Sequence, residues 1–246
     1  MAKKGLGRSV FILIIIAVGI TGAFVYKKIA ARNSLAARIA ELSPRGAPPQ
    51  SIDDLRKAIA LYEKKIDEHV KDAVQTGIYW KILGSRLMDA RQPLYKDALE
   101  ALQNAVRYMP EDETVHYLIG ISAGSLARSE YFSPVEQAEH YRIAEAAYLR
   151  ALDLQGRYGK ALYGLGVLYV YNLNRPEDAI PYLELFNEIN KRDTDGMFVL
   201  ASARALTGDF SGAVDLYDKI IGLTKDQKVK DQAEKNKQRV MDAWYR

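Results

Sequence analysis

The sequence predicts an all-α protein: a solenoid of about four helical hairpins with capping helices, behind a single N-terminal transmembrane helix. Three observations predict this architecture. A pattern of small and large apolar residues recurs between residues 77 and 225, an uncharged segment lies near the start, and a stretch rich in proline separates the two. The chain has 246 residues, of which 48% are hydrophobic, and this suffices for a sizeable core.

Residues 9–26, SVFILIIIAVGITGAFVY, carry no charge and have basic residues on both sides. As a helix they extend about 27 Å, close to the thickness of a bilayer core. The segment therefore predicts a transmembrane helix after a short basic tail, residues 1–8. The alternative is a signal peptide cleaved after Ala23, where the residues are small. We favour the uncleaved anchor because the apolar run continues past Ala23.

The chain that follows the apolar segment predicts a stalk and a hinge. Residues 27–42 keep apolar residues at near-helical spacing, which indicates that the helix continues as a stalk. Residues 43–50, SPRGAPPQ, contain three prolines and a glycine and cannot continue a helix. We interpret them as the linker between the anchor and the body.

The orientation of the anchor follows from the lengths of the segments on its two sides. A short basic tail before a long domain usually stays inside, since long domains translocate largely regardless of charge. We therefore expect a single-pass protein of the bacterial inner membrane, with its C-terminal domain in the periplasm.

The net charge of +4 comes from the N-terminal region alone. Residues 1–50 contain eight Lys and Arg residues and one acid, whereas residues 51–246 contain 27 basic and 30 acidic residues. A mildly acidic body argues against nucleic-acid binding. The chain has no cysteine, which excludes disulfides, thiolate catalysis and cysteine zinc sites.

The body repeats one pattern of small and large apolar residues four times. In the first repeat the pattern comprises Trp80, Leu83, Gly84, Leu87, Ala98, Leu102, Ala105 and Pro110. The later repeats have Ile119, Gly120, Ala144, Tyr148 and Ala151; then Leu162, Leu165, Gly166, Tyr169, Ala179, Leu183 and Phe186; then Leu200, Ala201, Gly208, Ala213, Tyr217 and Ile220. The small residues suit points where two helices cross closely, and the large ones fill the space between neighbouring pairs.

This pattern resembles the tetratricopeptide repeat (TPR), a helical hairpin of about 34 residues. The resemblance divides residues 51–246 into a capping helix at 51–75, repeats at about 77–110, 113–156, 159–191 and 194–225, and a C-terminal cap at 226–246. The second repeat has about twelve extra residues, which we expect to lengthen its turn and its second helix.

The resemblance also implies where a partner binds, because the first helices of such repeats line a concave face. The predicted partner-binding residues are Lys81, Met88, Tyr117, Ile121, Lys160, Tyr163, Val167, Tyr171 and Phe198. Tyrosines and aliphatics prevail among them, which indicates a groove for a helix or an extended segment. The alternative is that the chain's own linker or terminal helix covers these residues. Chaperone-binding members hold a terminal carboxylate with lysine and asparagine, but here Ser85 and Leu118 occupy the asparagine positions.

The sequence predicts no catalytic residue, no metal site and no cofactor. The G-x-G within residues 163–169 lacks a third glycine and the strand that precedes a dinucleotide loop. The three histidines, His69, His116 and His140, lie on separate elements without metal-ligand spacing.

The leading hypothesis is therefore a membrane-anchored adaptor or scaffold, not an enzyme, that binds a protein or peptide partner in its groove. Two alternatives stay open. One is a structural assembly subunit of a larger bacterial envelope complex, which could form a homo-oligomer. The other is a ligand-binding auxiliary protein of a transporter. The size of the bound species separates the adaptor from the auxiliary protein, and native mass identifies an assembly subunit.

The predicted orientation has a direct test. A reporter that is active only in the periplasm, fused after Arg246, should be active, because the short basic tail stays inside and the body translocates. A reporter that works only in the cytoplasm should be silent at the same position. The opposite pattern would contradict the predicted topology.

Overall fold

The computed structural model describes residues 52–128 and 132–245, and every regular element within them is an α-helix. The predicted basic tail, transmembrane helix, stalk and linker, residues 1–50, lie outside the described residues. None of the helices in the described ranges combines the length and the apolarity needed to cross a membrane.

The described residues form helices that follow one another with short connections. They are α1 (Ile52–Met88), α2 (Tyr95–Val106), α3 (Glu113–Ala127), α4 (Pro134–Leu154), α5 (Gly159–Tyr171), α6 (Pro176–Ile189), α7 (Thr194–Leu206), α8 (Phe210–Leu223) and α9 (Gln227–Trp244).

The chain divides between Lys71 and Asp72 into two units. In the first unit the described residues are the early turns of α1. Three of its aliphatic side chains are exposed: Ile59, Ile66 and Val70 leave 54, 60 and 54% of their surface accessible. The second unit contains the later turns of α1 and helices α2 to α9.

The second unit is a stack of helical hairpins whose two helices approach closely at glycine. A Cβ atom placed on Gly84 of α1 would lie 2.6 Å from Cγ of Leu102 on α2. A Cβ atom on Gly166 of α5 would lie 2.6 Å from Cγ of Leu183 on α6. Ala201 takes the corresponding place on α7 and is fully buried. The predicted small residues therefore lie where two helices leave no space for a larger side chain.

The second helices contribute alanines to the same packing layer. Ala98, Ala144, Ala179 and Ala213 have no accessible surface. The first helices also contact one another, α3 with α5 and α5 with α7, so that neighbouring hairpins stack. Stacking buries apolar faces that a single hairpin leaves open. The all-α repeat solenoid predicted from the sequence is confirmed in the described residues.

Two details of the first hairpin differ from the prediction. The expected capping helix and the first helix of repeat 1 form one continuous helix, α1, without a break near residue 75. Leu83, expected in the core, is 44% exposed and lines an apolar cavity with Thr76, Tyr79 and Trp80. The second unit begins with the later turns of α1, so no helix of this unit precedes them to cover that side of the hairpin.

The insertion in the second repeat lengthens its second helix, as expected. Helix α4 has 21 residues, whereas α6 and α8 have 14 each. Its start is fixed by a capping box: the backbone N–H of Ser133 donates to Glu136 Oε2 at 2.8 Å, and the Glu136 N–H donates to Ser133 Oγ. Such a box satisfies two backbone groups of the first turn.

The close crossing at Gly166 predicts the effect of adding a side chain there. Gly166→Leu should lower the free energy of unfolding by about 1 to 3 kcal/mol, because the added side chain would collide with the fully buried Leu183. Gly222→Leu is the matched control, since a Cβ atom at Gly222 meets nothing within 4 Å. Urea unfolding followed by circular dichroism measures both variants. Equal loss of stability in the two variants would contradict the register.

Candidate partner-binding groove

Two adjoining cavities lie along the first helices α3 and α5 and the start of α7. The larger has a volume of about 440 Å³ and the smaller about 240 Å³. Tyr117, Lys160 and Tyr163 line both of them. We call the two cavities together the tyrosine groove.

The larger cavity has an aromatic and aliphatic wall. Tyr158, Phe186 and Ile189 contribute to it, together with Tyr163, whose ring centroid lies 5.3 Å from that of Phe186. Phe186, at the end of α6, packs against Gly196 in the first turn of α7, where any Cβ atom would collide with its ring. The glycine at this position therefore allows the Phe186 ring of one repeat to pack against the first helix of the next repeat.

The floor of the smaller cavity depends on Tyr148 of α4. Its ring lies beside Gly120 of α3 and Gly164 of α5, and a Cβ atom on these glycines would lie 2.5 and 2.9 Å from Tyr148 Cε1. Ile121 and Val167 also line this cavity. The two glycines thus form a slot that admits a tyrosine ring between the helices.

Three tyrosines of the groove, Tyr117, Tyr148 and Tyr158, form one connected cluster. The ring centroid of Tyr117 lies 6.2 Å from that of Tyr148 and 5.6 Å from that of Tyr158, the latter edge to face. Nζ of Lys160 lies 5.9 Å from the Tyr117 centroid. Burial raises the pKa of Tyr117, and the neighbouring Tyr158 raises it further. The Tyr117 hydroxyl therefore stays protonated and acts as a neutral hydrogen-bonding group at neutral pH.

Five of the nine predicted binding residues come together in the groove. They are Tyr117, Ile121, Lys160, Tyr163 and Val167. Their side chains come from two neighbouring first helices, as the repeat register implied. That they contact a partner stays a prediction.

The other four predicted residues do not line either cavity. Lys81 donates to Asp112 Oδ2 at 2.7 Å, and the sulfur of Met88 accepts a hydrogen bond from Ser122 at 3.2 Å. Tyr171 is 57% exposed and donates to Ser202. Phe198 packs against the last core cluster, which includes Tyr217.

Sequence reasoning missed several residues of the groove, among them Arg128, Tyr148, Phe186 and Asp193. Tyr148 was assigned to the core, yet its ring lines the smaller cavity. The glycines that flank it, Gly120 and Gly164, are the signal that could have indicated its place. Phe186 was likewise assigned to the repeat pattern as a packing residue, whereas Arg128 and Asp193 lie at helix ends, outside that pattern. The described residues contain no cluster of His, Asp and Glu side chains able to hold a metal ion.

Known proteins share both the sequence pattern and the fold. Residues 136–186 match the sequence model of the tetratricopeptide repeat family. A TPR repeat-containing protein of Borreliella burgdorferi is 22% identical over 190 residues, which make up 76% of this chain and 81% of that protein.

Solved structures with the same fold include YrrB and MamA. YrrB, a TPR protein with an unusual peptide-binding site, has a TM-score of 0.56 at 22% identity, over 74% of this chain and 82% of YrrB. MamA from Desulfovibrio magneticus RS-1, from its residue 41 to its end, has a TM-score of 0.54 at 16% identity, over 68% of this chain and 94% of that chain.

Fold and repeats together define the class of protein, an all-α solenoid of TPR-like helical hairpins. The TPR resemblance that the sequence pattern suggested is supported by the family match over residues 136–186 and by the TPR-like fold of the described residues.

The buried tyrosine of the slot predicts how stability depends on pH. Burial raises the pKa of Tyr148, and Tyr117 raises it further, above the value of about 10 for an exposed tyrosine. The stability that this raised pKa contributes is present below pH 10 and is lost as the pH rises further. The reason is that only the unfolded chain ionises the Tyr148 hydroxyl readily. Between pH 9 and 11, Tyr148→Phe should lose about 1 kcal/mol less stability than the unmodified chain.

Urea unfolding at each pH measures this difference. Lysines also titrate in this pH range, but their contribution is common to all variants and does not change the comparison. Tyr79→Phe is the matched control, because the Tyr79 side chain is 64% exposed. The control should follow the unmodified chain. A Tyr148→Phe variant that loses as much stability as the control would contradict the burial of the hydroxyl.

Proposed function

We propose that this chain is a non-enzymatic adaptor that binds a segment of a protein partner in the tyrosine groove. The observation that carries the proposal is the meeting of aromatic and aliphatic side chains from successive hairpins in one open groove, whose cavities share Tyr117 and Tyr163. Aromatic residues at the centre of a contact surface contribute most of the binding energy of many interfaces.

The arrangement of the groove suits a peptide segment. Two cavities side by side can each take a side chain of one helix or one extended strand, and the polar groups at their edges can orient it. A small ligand would favour one enclosed cavity, which is the usual form of such sites. YrrB is described as having an unusual peptide-binding site. This description supports the proposal by analogy of fold alone.

The proposed adaptor acts at a membrane. This part rests on the sequence, in which residues 9–26 form an uncharged segment of spanning length with basic flanks. The anchor would hold the groove close to the bilayer, so that a bound partner is recruited there. We further propose that the body lies in the periplasm of a bacterial cell, on the orientation argument given above.

A second candidate function, a subunit of a larger assembly, is favoured by the exposed aliphatics of the first unit. Ile59, Ile66 and Val70 follow one another at intervals of seven and four residues, so they lie on one face of α1. Such a face can pack against another chain, including a second copy. The native mass of the gently solubilised full chain tests this candidate, and a monomer would contradict it.

The adaptor proposal predicts different effects for two tyrosines of the same helix. Tyr163→Ala should weaken binding of the partner about 30-fold, equivalent to about 2 kcal/mol for a central aromatic anchor. Tyr171→Ala is the matched control and should change binding less than threefold, because Tyr171 lines neither cavity. The partner is first crosslinked and identified in native membranes, and its affinity for the purified full chain is then titrated.

Circular dichroism spectra of both variants should match that of the unmodified chain, since neither side chain is fully buried. Loss of binding in Tyr171→Ala with full binding in Tyr163→Ala would contradict the assignment of the groove. Full binding in both variants would place the contact elsewhere on the chain.

A further inference from the structure

The smaller cavity of the tyrosine groove carries positive charge. Arg128, at the end of α3, and Lys160, at the start of α5, both line it, and none of the described residues around it is acidic. The Arg128 guanidinium donates to Ser125 Oγ at 3.0 Å. It also lies near enough to Tyr148 to oppose the effect of burial on the pKa of that hydroxyl. Two cationic side chains thus line this cavity without an acidic partner among its described lining residues.

The larger cavity carries the opposite charge at its far end. Asp193 and Asp195 line it beside the first turn of α7. Asp193 is fixed there as the helix N-cap, because its Oδ1 accepts from the Gly196 N–H at 2.9 Å. Both carboxylates lie near the Tyr163 hydroxyl, since they add to the effect of burial in raising its pKa. The two ends of the groove therefore differ in sign.

Lys160 stands where the two cavities meet. It lines both of them, and its Nζ lies 5.9 Å from the centroid of the Tyr117 ring. A cation at this point adds to the positive charge of Arg128 on one side. On the other side it balances only part of the charge of Asp193 and Asp195. The charge gradient thus runs along the groove from α3 to α7.

We propose that the groove selects a protein segment with a matching charge order. An acidic residue next to an apolar anchor pairs with Arg128 and Lys160 over the smaller cavity, and a basic residue lies near Asp193 and Asp195 over the larger one. Opposite charges at the two ends favour one direction of the bound segment over the reverse. This inference rests on the proposed function, since it names the chemistry of the partner that binds in the same groove.

The experiment uses the full chain in detergent micelles and a display library of random peptides of 12 residues. Peptides that also bind the Tyr163→Ala variant are discarded, so that the retained peptides depend on the groove. We expect these to share an acidic residue on one side of an apolar pair and a basic residue on the other. An exposed ion pair contributes up to about fivefold in affinity.

Charge reversal then tests the assignment of the acidic residue. Arg128→Glu should lower the affinity for the retained peptides about tenfold, because it removes an attraction to their acidic residue and adds a repulsion. Peptides in which the acidic residue is replaced by lysine should regain affinity for Arg128→Glu and bind the unmodified chain poorly. Arg107→Glu makes the same change in charge at an exposed residue outside the groove and should leave affinity unchanged.

The outcomes separate the two levels of the proposal. Peptides that depend on Tyr163 but show no charge order, or that bind Arg128→Glu as well as the unmodified chain, would overturn this inference and leave the proposed function standing. A library from which no peptide depends on Tyr163 would overturn both.

Discussion

The groove depends on one packing constraint, the passage of the Tyr148 ring between Gly120 and Gly164. A Cβ atom on either glycine would lie within 2.9 Å of the ring, so the ring sets the separation of α3 and α5 at this point. This separation places Tyr117 of α3 and Tyr163 of α5 on the wall that both cavities share. A side chain at either glycine would have to displace the ring, and the groove would change shape with it.

The fold and part of the groove could be predicted from the sequence, because close helix crossings require small residues at fixed spacing. Gly166 and Ala179 were assigned to such a crossing, and the structure buries both. Ile121 and Val167 reach the groove for the same reason, since equivalent positions of successive first helices face the same side. Periodicity encodes these features directly.

The rest of the groove could not be predicted because it depends on how neighbouring hairpins stack. Phe186 reaches the larger cavity from a second helix, and only the absence of a side chain at Gly196 permits its position. Tyr171 has a suitable register, yet it lies at the end of α5 and its hydroxyl donates to Ser202 of α7. The continuous α1 was missed because a repeat boundary near residue 75 does not require a break in the helix.

The central claim, that a protein segment occupies the tyrosine groove, has a direct test by site-specific photocrosslinking in intact native cells. A benzophenone amino acid is introduced at Val167, which lines the smaller cavity, or at Leu149, which is exposed on α4. We predict a discrete crosslinked product from Val167 and none from Leu149, with one peptide segment of the partner identified by mass spectrometry. A product from Leu149 alone would contradict binding in the groove.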